Sequence, residues 1–317
     1  MAGAIEPLFS VIIPVYNRAH AVGDAIRSVL AQTCQDFEIV VVDDGSSDDP
    51  AAAIAAIGDL RIHFIRQPNR GGGAARNTGI DNARGRFIAP LDSDDVFLPK
   101  HLETMKALLE GTGNTVGYAR MIVDRGHGRT MLKPPRAIGT DEHMATYLLC
   151  DRGFIPTITI VVPTAMARQV RYHEHLRYAE DTDFAIRLYL AGCKFVMADE
   201  PGAVWKDIPD PNRSSAGRKG ARLMGWLEEL KDQIPERAYY GARGWVIAKG
   251  VASTDKWAAL KMYLTALRHG CYGARLSAII FLQIFLPDRA YRLLADRAVG
   301  AIGSGKKNAI AQAPLSP

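Results

Sequence analysis

Hydrophobic and polar positions alternate between two periods along the first hundred residues. Phe9–Val15 (FSVIIPV) and residues 38–42 (EIVVV) are dense β-branched runs, the pattern of strands buried on both faces. Between them, residues 21–32 carry Val22, Ile26, Val29 and Leu30 at helical spacing. Asp49-Pro50 suits a helix start ahead of the Ala-rich residues 51–57. Residues 61–65 read as a third strand. The glycine run Gly71-Gly72-Gly73 opens a helix over 74–83, and residues 86–90 form a fourth strand. Strands that alternate with helices predict parallel βαβ units, hence an α/β fold that binds ligands beyond the carboxyl ends of its strands.

The pattern then loosens. Residues 102–109 predict a helix, 115–123 and 158–162 predict strands, and 180–191 predict an amphipathic helix carrying Phe184, Ile186, Leu188 and Leu190. Residues 209–220 are rich in Pro, Gly, Ser and basic side chains and read as a linker or mobile loop. Residues 223–293 read as largely helical, and no internal repeat is visible. The expected organisation is one α/β domain over 1–210, regular at 8–100 and less regular at 101–206. A helical region over 211–300 and a disordered tail over 301–317 follow.

Composition adds little. The chain has 317 residues, 48% hydrophobic and 23% charged, an ordinary globular balance. A net charge of +5 fits an anionic ligand or an anionic membrane surface and proves neither. Four dispersed cysteines, with no CxxC pair, argue against a disulfide framework or zinc site and make a reducing cytosol the default. Residues 1–7 lack the basic start of a signal peptide. No stretch reaches the roughly 20 apolar residues of a spanning helix. The nearest, residues 276–286, contains Gln283 and stops at Pro287.

Candidate chemistry gathers at the predicted strand ends. Asp92-Ser93-Asp94-Asp95 crowds three carboxylates behind the fourth strand, which a hard divalent cation would relieve; the alternative is a solvated turn capping the next helix. Asp43-Asp44-Gly45-Ser46 follows the second strand, where an aspartate can accept from a base or a ribose, or build an Asx turn. The run from Gly71 to Asn77 resembles a phosphate cradle without dinucleotide or P-loop spacing, and Arg76 within it could reach a diphosphate. Glu180-Asp181 opens a helix, as a functional pair or as plain capping. His173 and His175 have the spacing of metal ligands, a pattern more often structural.

Five motifs in order resemble the inverting family 2 glycosyltransferases of GT-A (Rossmann-like) fold and non-processive bacterial type. They are Ser10-Val11-Ile12-Ile13-Pro14-Val15-Tyr16-Asn17, Val41-Val42-Asp43-Asp44-Gly45-Ser46, the stretch Gly73 to Ile80, Leu91-Asp92-Ser93-Asp94-Asp95, and Glu180-Asp181. The resemblance covers about residues 8–205 and implies a catalytic domain over 1–210, with a nucleotide-binding half at 8–100 and an acceptor half at 101–206. It implies that Pro14, Tyr16 and Asn17 lie along the nucleotide. Asp44 would bind the base, expected to be uracil, with Asp43 near it and Arg76 near the base or diphosphate. Asp92, with Ser93 beside it, would meet the ribose. Asp94 would be the main protein ligand of Mg²⁺ or Mn²⁺, and Asp181 the general base. The implied reaction moves one sugar from a UDP-sugar to a glycan or lipid-linked acceptor with inversion, in surface polysaccharide or glycoconjugate synthesis. Nucleic acid is not an expected partner. The alternatives are a nucleotidyltransferase, which would want a glycine-rich loop after the first strand, and an inactive nucleotide-sugar-binding protein.

The sequence departs from the family in two places. Trp205-Lys206-Asp207 stands where a His is common, leaving Lys206 or Arg213 to supply charge to the diphosphate. The Gln-x-x-Arg-Trp signature of processive synthases is absent. The apolar 276–286 segment is flanked by Arg268, His269, Arg275, Arg289, Arg292 and Arg297. It reads either as a core helix or as a peripheral contact with the inner face of the cell membrane.

Overall fold

The computed structural model describes residues 6–126, 128–176, 178–207, 220–287 and 290–291. The predicted linker except Gly220, the tail, Arg213, Arg289, Arg292 and Arg297 fall outside these residues. The chain divides into two compact units, described separately.

The first unit opens with β1 (Phe9–Val15), α1 (Ala19–Leu30), β2 (Phe37–Asp43), α2 (Pro50–Ala55), β3 (Ile62–Arg66), α3 (Gly72–Asn82) and β4 (Phe87–Pro90). It continues through β5 (Val96–Phe97), α4 (His101–Leu109), β6 (Thr115–Asp124), β7 (Thr130–Lys133), α5 (Met144–Cys150), β8 (Val162–Pro163), α6 (Thr164–Val170), α7 (Glu180–Leu190) and β9 (Lys194–Lys206). The main sheet runs β3-β2-β1-β4-β8. Its first four strands are parallel, and β8 pairs antiparallel with β4. The chain steps outward from β1 to β3 and then returns to β4 on the other side of β1. That reversal leaves a crevice at the carboxyl ends of β1 and β4, where such sheets bind ligands. A second sheet runs β5-β9-β6-β7.

Local sequence explains these elements. Every β2 residue is buried, as a β-branched run covered on both faces requires. Helix α1 buries Val22, Ala25, Ile26 and Val29 on one stripe. Asp49 caps α2 by accepting from Ala52 N at 3.1 Å, with Pro50 at the first helical position. Helix α3 lies close on β1, since a Cβ on Gly79 would stand 2.4 Å from Ile12 Cγ2.

One predicted element is corrected. Residues 158–162 form no full strand: Thr157–Thr159 is a 3₁₀ turn, Val161 makes an isolated bridge to Gly117, and the strand is reduced to Val162–Pro163. Proline cannot donate to a ladder, and Pro156 and Pro163 bracket the segment. The Thr159 hydroxyl substitutes for the missing ladder bonds, donating to Ala119 O at 2.7 Å and accepting from Ala119 N at 3.3 Å.

The second unit is helical: α8 (Gly220–Leu230), α9 (Glu236–Ala242), a π-helical stretch Arg243–Ile247, α10 (Ala248–Val251), α11 (Lys256–Arg268) and α12 (Ala274–Phe285). Helix α12 buries Ile280 and Ile284, one turn apart. Among the described residues, no helix is long and apolar enough to cross a membrane.

Candidate active site

A cleft of about 590 Å³ lies in the first unit at the carboxyl ends of β1, β2 and β4. It gathers Pro14, Tyr16, Asp44, Arg76, Asp92, Ser93, Asp94 and Asp181 from five separate stretches of chain. Asn17 and Asp43 are not among its lining residues. Asn17, with φ 53°, receives Ser47 N on its Oδ1 at 2.8 Å and donates its own N to Ser46 Oγ at 2.9 Å. Fully buried Asp43 accepts from Ser46 N at 2.9 Å and pairs with Arg66 at 3.3 Å. Asn17 fastens the loop after β1 to the loop after β2, while Asp43 folds that second loop and ties it to β3.

Asp44 holds the glycine loop. Its Oδ1 accepts from Arg70 N at 2.9 Å and Gln67 Nε2 at 2.8 Å, and its Oδ2 accepts from Gly71 N at 2.7 Å. Gly71 has φ 96°, a backbone conformation that favours glycine, and α3 begins at the next residue.

Arg76 lines the cleft with a side chain only 8% exposed. Its Nη2 donates to Asp92 Oδ1 at 2.6 Å and its Nη1 to Glu180 Oε1 at 3.3 Å. The guanidinium also sits 5.4 Å from the centre of the Tyr172 ring. Burial alone would lower its pKa, but the Asp92 and Glu180 carboxylates beside it outweigh burial and the net shift is upward. Arg76 therefore joins the loop after β4 to the start of α7. Asn77 makes a parallel tie, donating to Tyr172 O at 2.9 Å and accepting from Tyr172 N at 2.8 Å.

Asp181 sits on the cleft wall in the first turn of α7, after Ala179 in a left-handed conformation with φ 62°. Burial pushes its carboxyl up to about 6, and the charge of Glu180 adds to the rise. The Thr182 N–H and Arg76 oppose that shift. A carboxyl poised there can accept a proton near neutral pH. The third acid of that turn, Asp183, is fully buried and pairs with Arg187 at 2.5 Å and with His173 at 3.2 Å. His173 stacks on His175 with ring centres 5.1 Å apart. Among the described residues, no group of three or more His, Cys, Asp or Glu gathers to hold a metal.

Asp94 faces Arg18, whose Nη1 lies 2.5 Å from Asp94 Oδ1. Asp95 is buried and accepts from Lys206 N at 3.0 Å, anchoring the end of β9 to the loop after β4. The Lys206 side chain pairs with Asp24 at 3.8 Å and does not line the cleft. The cations of the described cleft wall are Arg18 and Arg76. Sequence reasoning missed Arg18, Asn69, Thr157, Leu176 and Tyr178 in this wall, and within Trp205-Lys206-Asp207 it looked to Lys206 where Trp205 lines the cleft. Arg18 alone carried a signal, as the residue directly after Pro14-Val15-Tyr16-Asn17.

The sequence model described as "Glycosyl transferase family 2" matches residues 10–177. The chain is 29% identical over 242 residues to the amylovoran biosynthesis glycosyltransferase AmsB of Erwinia amylovora, covering 73% of this chain and 80% of that protein. It spans less than two-thirds of the length of several Rickettsia glycosyltransferases that it also matches. Among solved structures, S. aureus TarS 1-349 in complex with UDP-GlcNAc superposes with a TM-score of 0.63 at 20% identity, covering 95% of this chain and 93% of that one. The mannosyltransferase PcManGT from Pyrobaculum calidifontis, in complex with GDP-Man and Mn²⁺, gives 0.54 at 18% identity over 96% and 82%. These two likenesses are of fold.

Proposed function

This chain belongs to glycosyl transferase family 2, as a glycosyltransferase of GT-A fold, and from that premise we propose that it moves one sugar from a UDP-sugar to a glycan or lipid-linked hydroxyl with inversion. The observation that carries the reading is that Asp94 and Asp181 line one cleft, with the Asp181 carboxyl pushed up to about 6. A sugar hydroxyl is a weak nucleophile, and Asp181 is the base that takes its proton as the new bond forms. The nucleotide lies across Pro14, Tyr16 and Asp44, with the ribose toward Asp92 and Ser93. Attack from the face opposite the leaving diphosphate inverts the anomeric carbon. The UDP-GlcNAc complex of TarS supports a uridine donor. The name of AmsB supports a place in polysaccharide biosynthesis.

A divalent ion, Mg²⁺ or Mn²⁺, fits the loop after β4. Such ions are held by one or two carboxylates together with substrate phosphates. Asp94 keeps its side chain 25% exposed beside the cleft, and it would hold the ion. When bound, the ion supplies positive charge to the leaving diphosphate.

The second unit would lie peripherally on a membrane. Helix α11 exposes Trp257 and Leu264, and α12 exposes Phe281 and Leu282. Exposed Lys256, Lys261, Arg268 and Arg275 accompany them.

The test of the reaction is donor turnover. The protein with Mn²⁺ and UDP-GlcNAc or UDP-glucose should release UDP slowly, faster with acceptor glycan, and chelator should stop it. Release of pyrophosphate would instead identify a nucleotidyltransferase. Turnover of neither kind across a panel of nucleotide sugars would leave a binding protein.

A further inference from the structure

We propose that Arg18 is a stand-in cation: it neutralises Asp94 while the cleft is empty and yields that carboxylate to the divalent ion that arrives with the donor. The inference rests on the glycosyl-transfer reading above and deepens it at the same site. The lining of the cleft holds Asp44, Asp92, Asp94, Asp95, Glu180 and Asp181 against Arg18 and Arg76. The Arg76 guanidinium is turned to Asp92 and Glu180. The guanidinium at Asp94 is that of Arg18, at 2.5 Å, with side chains 15% and 25% exposed.

The main chain at Arg18 is fixed, because its carbonyl accepts from Ala21 N at 3.0 Å and Val22 N at 3.1 Å at the start of α1. The side chain is long and can swing about that anchor. A guanidinium and a divalent cation on one carboxylate repel each other strongly in a partly buried site. Entry of the ion alone must therefore displace Arg18 toward carboxylates that are already engaged: Asp44 by Arg70 N, Gln67 and Gly71 N, Asp92 and Glu180 by Arg76, Asp95 by Lys206 N and Asp181 by Thr182 N. Entry of the ion with a diphosphate changes the balance. The phosphates complete the coordination of the ion, and they give the displaced guanidinium a bidentate partner. Arg18 thus makes metal binding conditional on the nucleotide, and by linkage each ligand raises the affinity for the other by the same factor.

The test is titration of the full chain with Mn²⁺, read by the free-ion electron paramagnetic resonance signal, without nucleotide and with saturating UDP. Arg18→Ala should tighten nucleotide-free Mn²⁺ binding at least about fivefold and shrink the UDP-dependent gain by a similar factor. Arg18→Lys should fall between Arg18→Ala and the wild type. Adding Asp94→Asn to Arg18→Ala should remove the gain. Native circular dichroism spectra would show that the variants remain folded. Unchanged or weaker nucleotide-free Mn²⁺ binding in Arg18→Ala, with UDP and Mn²⁺ still binding together, overturns the role of Arg18 and leaves the glycosyl-transfer reading standing. Failure of the wild type to bind Mn²⁺ even with UDP overturns both.

Discussion

Arg76 and Asp92 form a half-hidden ion pair in which Nη2 lies 2.6 Å from Oδ1, in the lining of the cleft that the proposed nucleotide enters. The same guanidinium reaches Glu180 and opposes the upward shift of Asp181. It thus couples the loop after β4 to the acid that would act as base. Arg76→Met should leave Asp92 and Glu180 without their shared cation. Removing one member of a buried pair costs on the order of 3–5 kcal/mol, and the partial exposure of Asp92 places the expected loss at or below about 3 kcal/mol. Thermal melting measures that loss. The inflection of the rate against pH should also move upward, because a positive charge beside Asp181 is gone. An unchanged melting temperature and an unchanged inflection would show that Arg76 couples nothing.

Asp181→Asn should lower kcat on the order of 10²–10⁴-fold and leave UDP affinity nearly intact, since a general base acts in the transition state. Glu180→Gln is the control for which carboxylate of the turn faces the acceptor. In the wild type, only the ionised Asp181 can take a proton. With its carboxyl held at about 6, the rate should fall as pH drops through about 6 and level off above it. Asp181→Asn should lose that inflection. A helix-capping role predicts a lower melting temperature and unchanged turnover per folded molecule. Near-native kcat in Asp181→Asn with a dead Glu180→Gln would move the base one residue back.

The exposed apolar and basic positions of α11 and α12 predict binding to anionic vesicles. Each Lys or Arg near such a surface contributes about 1 kcal/mol. Cosedimentation should be strong with vesicles containing anionic lipid and weak with neutral ones. Lys261→Glu combined with Arg268→Glu should lower it more than tenfold, and Trp257→Ser should lower it on both kinds of vesicle. Equal sedimentation with and without anionic lipid, or none at all, would refute the membrane contact.

The sequence by itself determined the α/β frame and where its chemistry would stand. A strand buried on both faces must be apolar along its whole length, so β1 and β2 were visible as runs, and helical spacing revealed α1 and α7. Acidic clusters at strand ends pointed to the crevice for the same local reason. Segment 158–162 shows the limit: its β-branched residues suggested a strand, but the prolines around it and the Thr159 hydroxyl set a turn. Tertiary structure alone decided which charges meet. Arg76 and Glu180 are 104 positions apart, and Asn77 and Tyr172 are 95 apart. Arg18 meets Asp94 across the cleft. Strand patterning depends on neighbours within a few residues, whereas these pairings depend on how α3, α7 and the loops after β1 and β4 converge when the core closes. No periodicity in the chain encodes that convergence, and the fold alone brought Arg18 to the carboxylate of Asp94.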